Sequence, residues 1–296
     1  MNTKTRLLTT LFLCVSIFCQ AKKALLVIAH GSPNPTWNKP AIDLESRVSD
    51  TLKARGIKDF AIVRTALMEY THPNISEVVK DLEREQVDTI FAMPIFICPS
   101  SHTEEDIPNL LGHKYNSYIR EGLVEEHAEF VKTRIPITMG PTFMFSDVCE
   151  KITLHNVQQL SKNPKDEALI ILAHGDEAYM PFWKELIESI DSKVRRGMGF
   201  DYSNHAFVEM GQEFVKDALP IIKEAAKHKK RIILQGVYLT SGIKGMAQRF
   251  GLIKAVDEAL AGQNVEVVYG DKGLLPDGAG EVSGWIVDCA QQWLDR

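Results

Sequence analysis

The stretch that decides the fold is Ala24–Ser32, ALLVIAHGS. Its six consecutive apolar residues, Ala24 to Ala29, are too few for a helix core and suit a strand buried on both faces, as in a parallel sheet. His30 then stands where the strand ends, Gly31 supplies a tight turn, and Ser32 offers a hydroxyl. In open α/β sheets that carboxyl end is where ligands bind. The same words return 144 residues later as ALIILAHGD, Ala168–Asp176, with five of nine positions identical. One histidine at a strand end can be chance; two in matching contexts point to a duplicated fold.

Working outward, strands and helices alternate on both sides of a linker at Ser161–Asp166. In the first half, strands are expected at Phe60–Leu67, at Val87–Ile97 and at Ile135–Met139. Pro40 is expected to open a helix that runs to Gly56. Asn74 and Glu77 form a capping pair for a second helix that ends near Gln86. The turn Cys98–Pro108 opens another helix, residues 113–134 are polar and poorly placed, and Gly140-Pro141 leads into a helix ending near Gln159. The second half repeats the order, with strands at 168–173, 200–208, 231–239 and 265–269 and helices at 181–195, 212–227, 244–260 and 281–294. This alternation means βαβ units. The expected architecture is α/β: two similar parallel-sheet half-domains, 22–163 and 164–296, facing each other across a cleft.

The bulk numbers fit a folded, soluble chain. It has 296 residues, 45% hydrophobic and 25% charged. A net charge of −5 with no basic tract argues against a nucleic-acid surface. Residues 1–21 differ: Lys4 and Arg6 precede an apolar stretch from Leu7 to Phe18, and Cys19-Gln20-Ala21 closes it with small residues at the −3 and −1 positions. This reads as a secretory signal peptide, too short to span a bilayer, with the mature chain starting near Lys22 in the periplasm and keeping no membrane span. Cleavage, lipidation at Cys19 and homo-oligomer formation stay open. Beyond it, Cys98, Cys149 and Cys289 form neither a disulfide framework nor a CxxC pair, and Cys98 reads as a buried core thiol.

Laying the halves on one another brings out the chemistry. His30 matches His174; Glu69 matches Glu209 at an offset of 140; and the third strands match at an offset of 142, which sets His102 opposite Lys244. The first half therefore has His30, Glu69 and His102 at the ends of three successive strands. The second half keeps His174 and Glu209 only. Two imidazoles and one carboxylate leave open positions on a divalent first-row metal, and cobalt(II), nickel(II) and iron(II) all accept this set.

At these residues the chain resembles the class II tetrapyrrole chelatases of the sirohydrochlorin cobaltochelatase type. The resemblance is carried by Leu26–Ser32, by Leu67-Met-Glu69, by Pro94–Pro108 with its His-Thr-Glu-Glu-Asp-Ile-Pro segment from His102, and by Ile137–Pro141. It covers most of the mature chain as two tandem family-like halves. It implies a chelatase fold with a tetrapyrrole between the halves, and insertion of cobalt(II), or of nickel or iron, as substrate. It also implies His30 and His102 as metal ligands, with Glu69 holding the ion or taking pyrrole protons. Ser32, Ser100, Ser101, His174, Glu209 and Lys244 would face the tetrapyrrole, with Arg64 offered to its carboxylates. The signal peptide suggests an alternative, an exported non-catalytic haem or metal carrier using the same cleft.

Overall fold

The computed structural model describes residues 21–68, 71–208, 211 and 213–296. The signal-peptide reading therefore lies, apart from Ala21, outside the described residues. Strand β1 (Lys23–Ala29) is the centre of the first half, and Ala24 to Ala29 are all completely buried. Each large aliphatic side chain there contributes about 1.5–3 kcal/mol relative to an exposed position. β1 pairs in parallel with β2 (Phe60–Leu67) on one side and β3 (Thr89–Pro94) on the other, and β3 pairs with β4 (Ile137–Met139). The order β2-β1-β3-β4 is repeated by β5 (Glu167–Ala173), β6 (Tyr202–Phe207), β7 (Arg231–Val237) and β8 (Glu266–Tyr269) as β6-β5-β7-β8.

The strand registers reproduce the sequence offsets between the halves. Ile28 faces Ala66 and Leu172 faces Ala206, while Lys23 faces Thr89 and Glu167 faces Arg231. The β1–β5, β2–β6 and β3–β7 offsets are thus 144, 140 and 142 in the backbone pairing itself.

Three expected elements are corrected by local chemistry. The first helix begins at Pro35, not Pro40, because Asn34 caps it by accepting the Thr36 N–H at 3.0 Å. Pro40 falls inside α1 (Pro35–Ile42), where it has no N–H for the helix ladder, and α2 (Leu44–Ala54) starts afresh after Asp43. β3 stops at Pro94, which has no donor to continue the ladder, rather than running to Ile97. The single helix expected over 244–260 is two, α9 (Ile243–Arg249) and α10 (Leu252–Ala259), separated by Gly251 at φ 79°. Helix α3 (Ile75–Arg84) carries the expected capping box of Asn74 and Glu77. The poorly placed stretch resolves into α4 (Ile107–Leu111) and α5 (Ser117–Glu125), followed by an irregular segment.

The halves are bound by exchanged helices. α6 (Val148–Leu160), which ends the first half, packs on α7 (Met180–Met198) and β7 of the second. The last helix, α11 (Glu281–Leu294), crosses back onto α2 and β3. There Trp285 lies 4.7 Å from Phe143, and Trp293 stacks at 5.2 Å on Phe91, centroid to centroid. One apolar core consequently runs through both halves, while each sheet's other face has a core of its own. Between α7 and β6 the chain turns at Gly199 with φ 85°, and α8 (Glu213–His228) connects β6 to β7. Among the described residues no helix is long and apolar enough to cross a membrane.

Candidate active site

In each sheet the strand order reverses beside its first strand, at β1/β3 and at β5/β7, and such switch points open crevices at the carboxyl ends of the strands. The two crevices share one cavity of about 360 Å3. Its wall takes His30 from the end of β1, Ile95–Cys98, Ser100 and His102 from the end of β3, His174–Asp176 from the end of β5 and Tyr238–Ser241 from the end of β7. Both halves therefore supply the site, in a volume within the range of small-molecule pockets.

His30 and His174 are held alike. Each follows its strand into a glycine with positive φ, 94° at Gly31 and 80° at Gly175. Each directs Nδ1 at the carbonyl oxygen of that glycine, at 2.8 Å and 2.7 Å. A carbonyl only accepts, so Nδ1 carries the proton and Nε2 is the lone-pair nitrogen of both rings. A side chain in place of either glycine would be strained at that φ.

His102 is held differently. After β3 the chain makes a serine–threonine turn, in which the Ser100 N–H donates to Thr103 Oγ1 at 2.9 Å, and then a single π-helical turn over His102–Asp106. The wide turn brings His102 Nδ1 to 2.8 Å from Asp106 Oδ2. This bond also assigns the lone pair to Nε2, but its acceptor is a charged carboxylate, which makes the imidazole a stronger donor to a metal. Single π turns of this kind recur at functional sites. The imidazoles of His30 and His102, 72 residues apart in the chain, meet edge to face with centroids 4.8 Å apart. Phe96 flanks both rings, at 6.4 and 6.0 Å, and Trp37 stands 6.4 Å from His30.

The remaining candidates divide by position. Ser100 and His174 are on the cavity wall with His30 and His102. Ser32, Ser101 and Lys244 are not: the Ser32 hydroxyl accepts the Asn34 N–H at 3.1 Å, and Ser101 and Lys244 are exposed. Arg64 is likewise away from the cavity, paired with Glu85 at 3.0 Å and with Glu45 at 3.5 Å. Glu69 and Glu209 lie outside the described residues. Among the described residues no three His, Cys, Asp or Glu side chains form a metal-holding group.

Sequence reasoning missed the aromatic walls. Trp37 and Trp183 each follow a His-Gly turn by less than ten residues, a repeat present in the sequence that the matching of the two halves left out. Cys98 is on the wall, 1% exposed, and burial pushes its thiol up to about 12, so it stays protonated at neutral pH. The Tyr179 hydroxyl is also pushed up, by burial and then by the nearby Glu104, Glu105 and Asp176 carboxylates.

Comparison with known proteins bears on this geometry directly. The family model CbiX matches residues 24–153, which contain β1 to β4, His30 and His102. The sirohydrochlorin cobaltochelatase of Methanococcoides burtonii is 31% identical over 119 residues, 40% of this chain and 82% of that protein. The chain belongs to the CbiX chelatase family. The sirohydrochlorin cobaltochelatase of Methanococcus maripaludis is 33% identical over 90 residues, a match covering 30% of this chain and 58% of that protein's length. The CbiX match ends before the second half begins, and structural comparison covers both halves. The crystal structure of the sirohydrochlorin chelatase SirB from Bacillus subtilis subspecies spizizenii in complex with cobalt has a TM-score of 0.59 and 13% identity, covering 92% of this chain and 94% of that one. SirB from Bacillus subtilis with Fe3+ gives a TM-score of 0.64 at 12% identity, covering 92% and 95%. At such identities the likeness establishes the fold, a chelatase-like pair of parallel-sheet halves.

Proposed function

We propose that this CbiX family chain inserts a divalent metal ion, cobalt(II) first among candidates, into sirohydrochlorin or a similar tetrapyrrole held in the cavity between its halves. The observation that carries the reading is the meeting of His30 and His102 at 4.8 Å on the cavity wall, each with its Nδ1 already bonded and its lone pair therefore on Nε2. Two neutral imidazoles hold a first-row ion while leaving open coordination positions, so the ion can pass to a better set of four pyrrole nitrogens. The metal-free macrocycle loses two N–H protons as the ion enters, and the products are the metallated ring and two protons. We assign Glu69 to this step, as third ligand or as the base that accepts a pyrrole proton. The names of the related cobaltochelatases support cobalt and sirohydrochlorin as the first pair to test.

The halves act asymmetrically in this scheme. His174 repeats His30 in position and in hydrogen bonding, but Lys244 stands where the first half has His102. We therefore place the metal in the first half and give the second half the role of opposite wall. Export is part of the proposal on the strength of residues 1–21 alone. Fractionation of the expressing cell tests it, with a periplasmic product shortened near Ala21 expected and a full-length cytoplasmic one contradicting it.

The functional test is metal insertion by the purified protein, followed through the absorption change of the tetrapyrrole. His30→Ala and His102→Ala should each abolish turnover with secondary structure intact. Stoichiometric tetrapyrrole binding without turnover in the unmodified protein would replace the enzyme reading with that of a carrier.

A further inference from the structure

We propose that Asn38, on α1, is a positioning residue for the metal site: it pins the glycine turn whose carbonyl holds His30, and so keeps that imidazole aimed at the ion. This rests on the reading of His30 as a metal ligand. The His30 Nδ1 bond goes to the Gly31 carbonyl at 2.8 Å, and Gly31 is at φ 94°, where a residue without a side chain moves easily. Upstream the turn is fixed by the sheet, since the Met68 N–H donates to the Ala29 carbonyl at 2.8 Å. Downstream, Asn38 Nδ2 donates to the Ser32 carbonyl, also at 2.8 Å. Gly31 is thus held on both flanks, and its carbonyl keeps its place beside His30.

Three observations set this contact apart from ordinary packing. Asn38 is 3% exposed, yet its Oδ1 is buried with no hydrogen-bond partner. An orphaned oxygen is costly, so an apolar residue would serve the core better, and the bond from Nδ2 to the turn is what the asparagine adds. Trp37, its neighbour on α1, lies edge to face with His30 at 6.4 Å, so one helical turn reaches that histidine twice. The second half is built differently at this point. Asp176 Oδ1 accepts the Ala178 N–H at 3.0 Å, as Ser32 Oγ accepts the Asn34 N–H at 3.1 Å, but the residue after Trp183 is Lys184, which is exposed. The buried asparagine is therefore an addition on the half assigned to the metal.

The test titrates cobalt(II) calorimetrically into the purified protein, with the cobalt absorption spectrum and the melting temperature read on the same samples. Asn38→Leu removes the donor and the orphaned oxygen together, and Asn38→Asp keeps the shape without the donor. Each should weaken cobalt(II) binding about tenfold, the lower end for residues behind a metal-bound histidine, and alter the spectrum. The melting temperature of Asn38→Leu should stay within about 3 °C of the unmodified protein, because removal of the orphan offsets the lost bond. Lys184→Ala, the second-half counterpart, should change neither affinity nor spectrum. Unmodified affinity and spectrum in both Asn38 variants would overturn the proposal. So would an affinity loss that only follows a lower melting temperature, with the spectrum unchanged. Either result leaves His30 a ligand as long as His30→Ala weakens binding; cobalt(II) binding undiminished in His30→Ala refutes the metal reading itself.

Discussion

Asp106→Asn isolates the feature that distinguishes His102 from the other two strand-end histidines. His30 and His174 bond to backbone carbonyls that no side-chain substitution removes, whereas His102 Nδ1 bonds to a replaceable carboxylate at 2.8 Å. Asparagine keeps the size and one carbonyl oxygen, so the change converts a charge-assisted bond into a neutral one. The difference between such bonds is about 1–1.5 kcal/mol. Carboxylates behind metal-bound histidines are worth about 10–100-fold in metal affinity. With the His102 and Asp106 side chains 31% and 18% exposed, solvent screens part of the charge, and the lower end applies. The expected loss is about tenfold in cobalt(II) affinity, or 1.4 kcal/mol. Calorimetric titration with cobalt(II) reads it, with a cobalt absorption spectrum to report a changed ligand field. Affinity and spectrum both indistinguishable from the unmodified protein would refute the assignment of Asp106 as the group that orients His102.

Two further predictions concern the frame. Glu167→Gln should cost about 3 kcal/mol in denaturant unfolding, because it strips the buried partner from Arg231, whose Nη1 is 2.5 Å from Glu167 Oε1. Desolvation works to raise the Glu167 pKa, but hydrogen bonds from Ser161, from the Lys162 and Asn163 N–H groups and from Arg231 outweigh it and hold the group below its ordinary value. Its stabilisation is accordingly full above the unfolded glutamate pKa and lost as pH falls through the folded value, so the gap between the two proteins should close on acidification; a gap independent of pH would contradict this. Gly242→Ala would set a Cβ 2.2 Å from the backbone of Asp271, and a rigid neighbour there makes the cost about 1–3 kcal/mol. An unchanged unfolding midpoint in that variant would show that the Asp271 loop yields freely.

Much of the fold was legible because its central strands are uniform apolar runs. Ala24–Ala29 and Ala168–Ala173 are short apolar runs that suit doubly covered strands, and the offset of 140 read from Glu69 and Glu209 anticipated a register that the backbone then displayed. Helix starts were less secure, since Pro35 and Pro40 are both acceptable first-turn residues and only the Asn34 cap decides between them. The exchange of α6 and α11 could not be read at all: an apolar helix face declares that it will be buried, not against which sheet. At the site, His30 and His102 were legible as groups following neighbouring strands. Their hydrogen-bond partners were not, because a π turn has no sequence signature that separates it from an ordinary helix start. Trp37, Phe96 and Trp183 were overlooked because aromatic residues at helix and strand spacings are usually core, and only the cavity shows that these three line a void.

The most direct test of the central claim is cobalt(II) insertion into sirohydrochlorin by the purified protein, with His30→Ala and His102→Ala measured beside it. The account predicts catalytic turnover in the unmodified protein and none in either variant, while both variants still bind the tetrapyrrole. Turnover at the unmodified rate in both variants would contradict it.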